Sequence, residues 1–149
     1  MPTTIYFSGS ISGGRHDVET YRTIVAALER AGHRVLAGMV TATHIGDDGE
    51  ALPPREIFAR DMGWLAEAAN TNGVLVAEVS RPSLGVGYEI AAARYEHAMP
   101  VFCLYRPAYT KRCSGMIGGD EGIVLVEYAE DSLGVAIERL LAAIAKVRE

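Results

Sequence analysis

The stretch Gly73-Val-Leu-Val-Ala-Glu-Val79, which runs directly into Ser80-Arg-Pro-Ser-Leu-Gly-Val-Gly-Tyr-Glu89, decides the fold. Its first half is apolar almost throughout, as expected of a central strand buried on both faces of a parallel sheet. Its second half is a glycine-rich loop opening a helix that continues to about His97, before Pro100 breaks it. Working outward, short β-branched runs alternate with stretches of helical period, the pattern of a parallel sheet covered by helices. Thr3 to Ser8 and His33 to Gly38 are predicted strands before this stretch, and Val101 to Tyr105 and Ile123 to Tyr128 are predicted strands after it. Helices are predicted from about Asp17 to Ala31, from Pro54 to about Ala69 and from Leu133 to Val147. The expected fold is α/β, a flavodoxin-like doubly wound five-stranded parallel sheet with helices on both faces. Such sheets bind ligands at the carboxyl ends of their strands, near the switch point.

At 149 residues the chain fits one compact domain, taken as residues 1–149. Hydrophobic residues at 49% and charged residues at 22% place it with chains that fold unaided. The net charge of −5 and the lack of a Lys/Arg run argue against a nucleic-acid polymer as partner and leave a nucleotide open. Cys103 and Cys113 are too few for a disulfide framework, which points to a reducing, cytoplasmic setting. The first residues do not read as a signal peptide, and no apolar run approaches the about 20 residues of a membrane crossing. The four histidines are scattered outside any ligand pattern, so neither a metal nor another cofactor is expected.

Two glycine-rich loops should meet at the carboxyl edge of the sheet. The first is Ser8-Gly-Ser-Ile-Ser-Gly-Gly-Arg15, where glycines admit close approach of an anion and Ser10 and Ser12 add hydroxyl donors. The second presents Ser83, Gly85 and Gly87 where a helix begins, a natural anion site. Neither loop carries the dinucleotide or triphosphate fingerprint, and together they suggest a phosphate-bearing ligand. Residues 40–53 form a polar loop of the kind that covers a site, and residues 106–122 form another long polar loop.

Glu89 is expected in the first turn of its helix, where the macrodipole favours an ionised carboxylate, either as a nucleophile or as a dipole partner alone. Asp61 lies near the apolar side of the preceding helix, either as a second working acid or as a surface acid paired with Arg60. Two carboxylates in different environments can divide nucleophile and acid/base roles, as in retaining glycoside hydrolysis. Glu78, ending the central strand, is a third candidate.

Several stretches together carry a family resemblance. They are Tyr6-Phe-Ser-Gly-Ser-Ile11 with Gly13-Gly-Arg15, Asp61 with Trp64-Leu65, Ala77-Glu-Val79 with Pro82-Ser-Leu-Gly-Val-Gly-Tyr-Glu89, and Arg106-Pro107 with Ser114-Gly-Met-Ile117. In this order they resemble the 2'-deoxynucleoside 5'-phosphate N-hydrolases of the nucleoside 2-deoxyribosyltransferase superfamily. The resemblance implies that Glu89 attacks C1' of the sugar, that Asp61 is the acid/base and that Tyr6 positions the reacting groups. It places phosphate contacts on Ser10, Ser83, Gly85 and, from the second subunit of a homodimer, Ser114. Ile11 and Met116 match positions lining the base pocket. Ser12 stands where relatives carry an arginine, which leaves Arg15 as the cation at hand. The implied substrate is a nucleoside monophosphate. The alternative chemistry is transfer of the deoxyribosyl group to a second base.

Overall fold

The computed structural model describes residues 1–11, 17–42, 46, 49–107 and 110–149. Five strands, β1 (Thr4–Ser8), β2 (Arg34–Leu36), β3 (Val74–Glu78), β4 (Val101–Tyr105) and β5 (Ile123–Glu127), form one sheet in the order β2-β1-β3-β4-β5, with every pair parallel. This is the order of a flavodoxin-like doubly wound sheet, with its switch point between β1 and β3. The register sets Ser8 beside Ala77 and Ala77 beside Cys103, so the loops that follow β1 and β3 leave the same edge side by side.

Side chains alternate across each strand and sort into two cores. Ile5, Phe7, Val74, Val76, Phe102 and Leu104 pack against α1 (Val18–Arg30) and α5 (Leu133–Lys146). Tyr6, Leu75, Ala77, Val101 and Cys103 pack against α2 (Pro54–Asn70) and α3 (Leu84–Ala91). Helix α1 buries Tyr21, Ile24, Val25 and Leu28, and α5 buries Ala136, Ile137, Leu140 and Ile144, each set one stripe at helical spacing. Helix α3 passes into a π-helical turn, Ala92–Glu96, that completes the expected helix.

Element ends differ from expectation by a residue or two, where hydrogen bonding frays. The larger difference is α4 (Gly115–Gly118), one turn inside the polar loop 106–122, too short to leave a periodic signal. Among the described residues no helix is long and apolar enough to cross a membrane.

Glu78 is only 1% exposed and points to the α1/α5 side. It accepts the Ser80 backbone N–H at 2.6 Å and the Tyr128 hydroxyl at 3.0 Å. The Ser80 hydroxyl in turn accepts the Arg106 N–H at 2.8 Å, and the Arg106 guanidinium meets Asp17 at 2.8 Å. This buried network ties the ends of β3, β4 and β5 to the start of α1. Burial raises the Glu78 pKa, while its hydrogen bonds oppose the rise. Glu78 thus orders the end of β3 and the loop that follows it.

The turn from α2 into β3 depends on a close backbone approach. Gly73 donates to the Ala68 carbonyl at 2.7 Å, and a Cβ at this position would overlap the carbonyl oxygens of Thr4 and Ala68. Gly73→Ala should therefore lower stability by about 1–3 kcal/mol, the usual cost of overpacking, and urea unfolding would register it as a reduced midpoint. An unchanged midpoint would mean that the turn relaxes freely.

Candidate active site

The α2/α3 side of the switch point gathers the chemistry. Tyr6 and Ser8 alternate along β1 with Phe7, so both point away from the α1/α5 core. Ser83 caps α3, its hydroxyl accepting the Val86 N–H at 3.3 Å and keeping its own proton to donate. The Gly87 N–H already bonds the Ser83 carbonyl at 3.1 Å, so Gly87 does not present the anion donor expected of it. The Leu84 and Gly85 N–H groups have no backbone acceptor among the described residues and remain for an anion.

Helix α3 begins at Leu84, which puts Glu89 in the second turn and corrects the expectation of a first-turn carboxylate held by the dipole. Glu89 instead lines a narrow pocket with Tyr6, Ile11, Arg60, Asp61 and Trp64. Burial pushes its pKa up to about 7; the Tyr6 and Ser8 hydroxyls directed at it and the Arg60 cation pull downward, while the Asp61 carboxylate adds to the rise. Tyr6 is held far above its ordinary value, first by burial and then by the charges of Glu89 and Asp61, so it stays a neutral hydrogen-bond donor.

Asp61 has two kinds of neighbour. It pairs with Arg60, whose Nε lies 2.9 Å from Oδ1, and it also faces the pocket of Glu89 and Tyr6. The pocket volume of about 20 Å³ holds roughly one water. These side chains enclose a space far smaller than a nucleotide.

A second, larger cavity of about 1080 Å³ runs along the other side of α3. Ser83, Gly87, Ser114 and Met116 line it, with Glu89 lying about 200° round the helix from Gly87. Leu84, Tyr95 and Met116 stand in this groove 96%, 77% and 84% exposed. Within one chain, Ser114 and Met116 therefore face this groove and do not line the Glu89 pocket. Ser10 is fully buried at the end of β1, its N–H donating to the Tyr21 hydroxyl at 3.2 Å. Arg15 and Ser12 lie outside the described residues, as do residues 43–45 and 47–48 of the 40–53 loop.

Sequence reading named Arg60 only as a partner for Asp61 and did not find Glu50, Trp64 or Met39 as site residues. Arg60, Trp64 and Met39 line the pocket, and Glu50 grips Arg60 from the 40–53 loop. A signal existed for Arg60 and Trp64, since both flank Asp61 within one turn of α2; Glu50 and Met39 are set by tertiary placement alone.

No family model matches the chain. It is 41% identical over 139 residues to the 5-hydroxymethyl-dUMP N-hydrolase of Tetraodon nigroviridis, covering 90% of this chain and 94% of that one. It is 38% identical over 148 residues to the mouse (Mus musculus) protein of the same name, covering 96% and 82%. It is 40% identical over 139 residues to a Nematostella vectensis protein named "Putative 2'-deoxynucleoside 5'-phosphate N-hydrolase 1", covering 87% of each. Among solved structures, a conserved protein from Enterococcus faecalis V583 matches over 100% of both chains with a TM-score of 0.61 at 18% identity, a likeness of fold.

A buried carboxylate with a raised pKa makes stability depend on pH. For Glu89 the contribution is fully present below its ordinary value of 4.5 and is lost as pH rises through about 7. Glu89→Gln should therefore stabilise the fold at pH 8.5 relative to pH 5, by no more than about 3 kcal/mol. Thermal unfolding of both proteins at the two pH values tests this, and an effect independent of pH would contradict the buried-carboxylate description.

Proposed function

The chain belongs to the 2'-deoxynucleoside 5'-phosphate N-hydrolase family, and on that premise we propose that it hydrolyses the N-glycosidic bond of 2'-deoxynucleoside 5'-monophosphates through a covalent ester on Glu89. The observation that carries this reading is the convergence of Glu89, Asp61 and Tyr6 on one narrow pocket at the switch point. In the first half-reaction a Glu89 oxygen bonds to C1' as the C1'–N bond breaks. The bonding pair leaves with the base, to which Asp61 supplies a proton. In the second half, the Asp61 carboxylate takes a proton from water, the water oxygen bonds to C1', and the ester breaks to return Glu89 as a carboxylate. The products are the free base and 2-deoxyribose 5-phosphate. The Tyr6 hydroxyl holds Glu89 in place throughout.

Glu89 must enter ionised, so a pKa near 7 puts the acid limb of kcat/KM near neutrality. The same raised pKa makes the carboxylate more nucleophilic once ionised. The Ser83 hydroxyl and the Leu84 and Gly85 N–H groups at the start of α3 support a site for the 5'-phosphate, to which the family resemblance adds Ser10, with Arg15 as a candidate cation. The names of the relatives make 5-hydroxymethyl-dUMP the first substrate to assay, and they favour water over a second base as acceptor.

We further read the chain as a homodimer whose groove between α3 and α4 receives a second copy. Exposed Leu84, Tyr95 and Met116 beside Ser114 support this, because a lone chain leaves them in water. The dimer would bring the partner subunit's Ser114 to the phosphate and its Met116 to the base.

Glu89→Ala should lower kcat by at least ~10³, about 4 kcal/mol in the barrier. Asp61→Asn should lower it by ~10²–10⁴ with binding retained. Steady-state assay of folded variants checks both, and near-normal turnover of Glu89→Ala would end the mechanism. Mixing inactive Glu89→Ala with inactive Ser114→Asp under subunit exchange should restore activity, since a heterodimer then has one intact site. Proven exchange without recovery would remove Ser114 from a shared site.

A further inference from the structure

One guanidinium in the pocket is divided between two carboxylates. The Arg60 Nε holds Asp61 Oδ1 at 2.9 Å, while its terminal nitrogens meet the two oxygens of Glu50 at 2.5 and 2.7 Å. The Arg60 and Asp61 side chains are 21% and 17% exposed and that of Glu50 only 5%, so these pairs are largely shielded from water. The guanidinium also lies over the Trp64 ring, 5.1 Å from its centroid. A planar fork held along one edge by Glu50 and on one face by Trp64 has little freedom, so whatever its Nε touches is oriented too. What it touches is the carboxylate that the proposed function assigns as acid/base. Glu50 belongs to the polar loop before α2, so the same fork joins that loop to the reacting end of the site.

We propose that Arg60 is a positioning residue for the reaction, aiming the Asp61 carboxyl at the leaving base while Glu50 and Trp64 fix Arg60 itself. This rests on the hydrolase reading above and deepens it, adding two residues, Arg60 and Glu50, that act through Asp61. Other charged or titratable groups near the fork among the described residues are Glu89 from α3 and Tyr6 from β1, both of which respond electrostatically to Arg60. A structural ion pair would matter equally for every substrate. In the bond-breaking half-reaction, a device that aims an acid matters only when the leaving group needs a proton.

The test compares two substrates in the same protein: 5-hydroxymethyl-dUMP, whose base leaves with a proton, and 4-nitrophenyl 2-deoxyriboside 5-phosphate, whose phenolate leaves as an anion. Read on the pH plateau of each protein, because losing the Arg60 cation also raises the Glu89 pKa, kcat/KM, which reports the bond-breaking half-reaction, should fall in Arg60→Gln by ~10–100-fold on the nucleotide and by less than ~3-fold on the nitrophenyl compound. Arg60→Lys keeps the charge but has no fork to span Glu50 and Asp61, so it should recover only part of the loss. Equal losses on the two substrates, or none, overturn the proposal. If Arg60→Gln does not fold, Glu50→Gln decides, with a smaller selective loss of ~3–10-fold expected and an equal loss or none again overturning it. Wild-type protein that releases neither base nor nitrophenol would sink the hydrolase reading and this proposal together, whereas an active wild type with non-selective variants sinks this proposal alone.

Discussion

Negative charge crowded into a narrow, shielded pocket is the constraint on which the rest of the site depends. Glu89 and Asp61 share that pocket, and burial, with the Asp61 charge adding to it, raises the Glu89 pKa, which opposing donors leave at about 7. The relief comes from donors aimed at the pocket, the β1 hydroxyls of Tyr6 and Ser8 and the α2 guanidinium of Arg60. Two constraints set these three donors. Strand alternation turns Tyr6 and Ser8 to the α2/α3 side, and Arg60 is held by Glu50 and Trp64. The balance leaves Glu89 close enough to neutrality to switch between protonated and ionised states at physiological pH.

Two buried acids in one strand-loop-helix unit show how topology separates structural from chemical work. Glu78 and Glu89 are eleven positions apart, yet Glu78 faces the α1/α5 side and Glu89 the α2/α3 side. The Glu78 carboxylate is saturated by Ser80 and Tyr128 and belongs to a network that also fixes Arg106 and Asp17. Losing a member of that network would disturb the strand ends that carry both loops. Glu89 has hydroxyl neighbours and a pocket, and is the acid that a ligand can reach.

The sheet was legible in the sequence because its signals are local: β-branched runs, intervening helical periods and a fully apolar central strand mark every element but α4. Tyr6, Asp61 and Glu89, which share the narrow pocket, were also singled out from the sequence, Glu89 and Asp61 from their spacing and Tyr6 from the resemblance. Glu89's turn was misplaced because the glycines at 85 and 87 hide where α3 starts, and the Ser83 cap, not the glycines, sets that start. Arg60's double pairing could not be read, since Glu50 lies ten positions away in a loop without periodicity. Single-chain reasoning also could not foresee that Ser114 and Met116 line a separate groove, because α4, which follows Ser114, is a single turn.

The central claim is that Glu89 itself carries the sugar. Rapid quenching of a turnover mixture with 5-hydroxymethyl-dUMP, followed by peptide mass spectrometry, tests it directly. The account predicts a 2-deoxyribose 5-phosphate adduct on the peptide containing Glu89, with fragmentation placing the added mass on that residue. The same adduct on Asp61 or Glu78 would contradict it, as would rapid base release with no adduct on any residue.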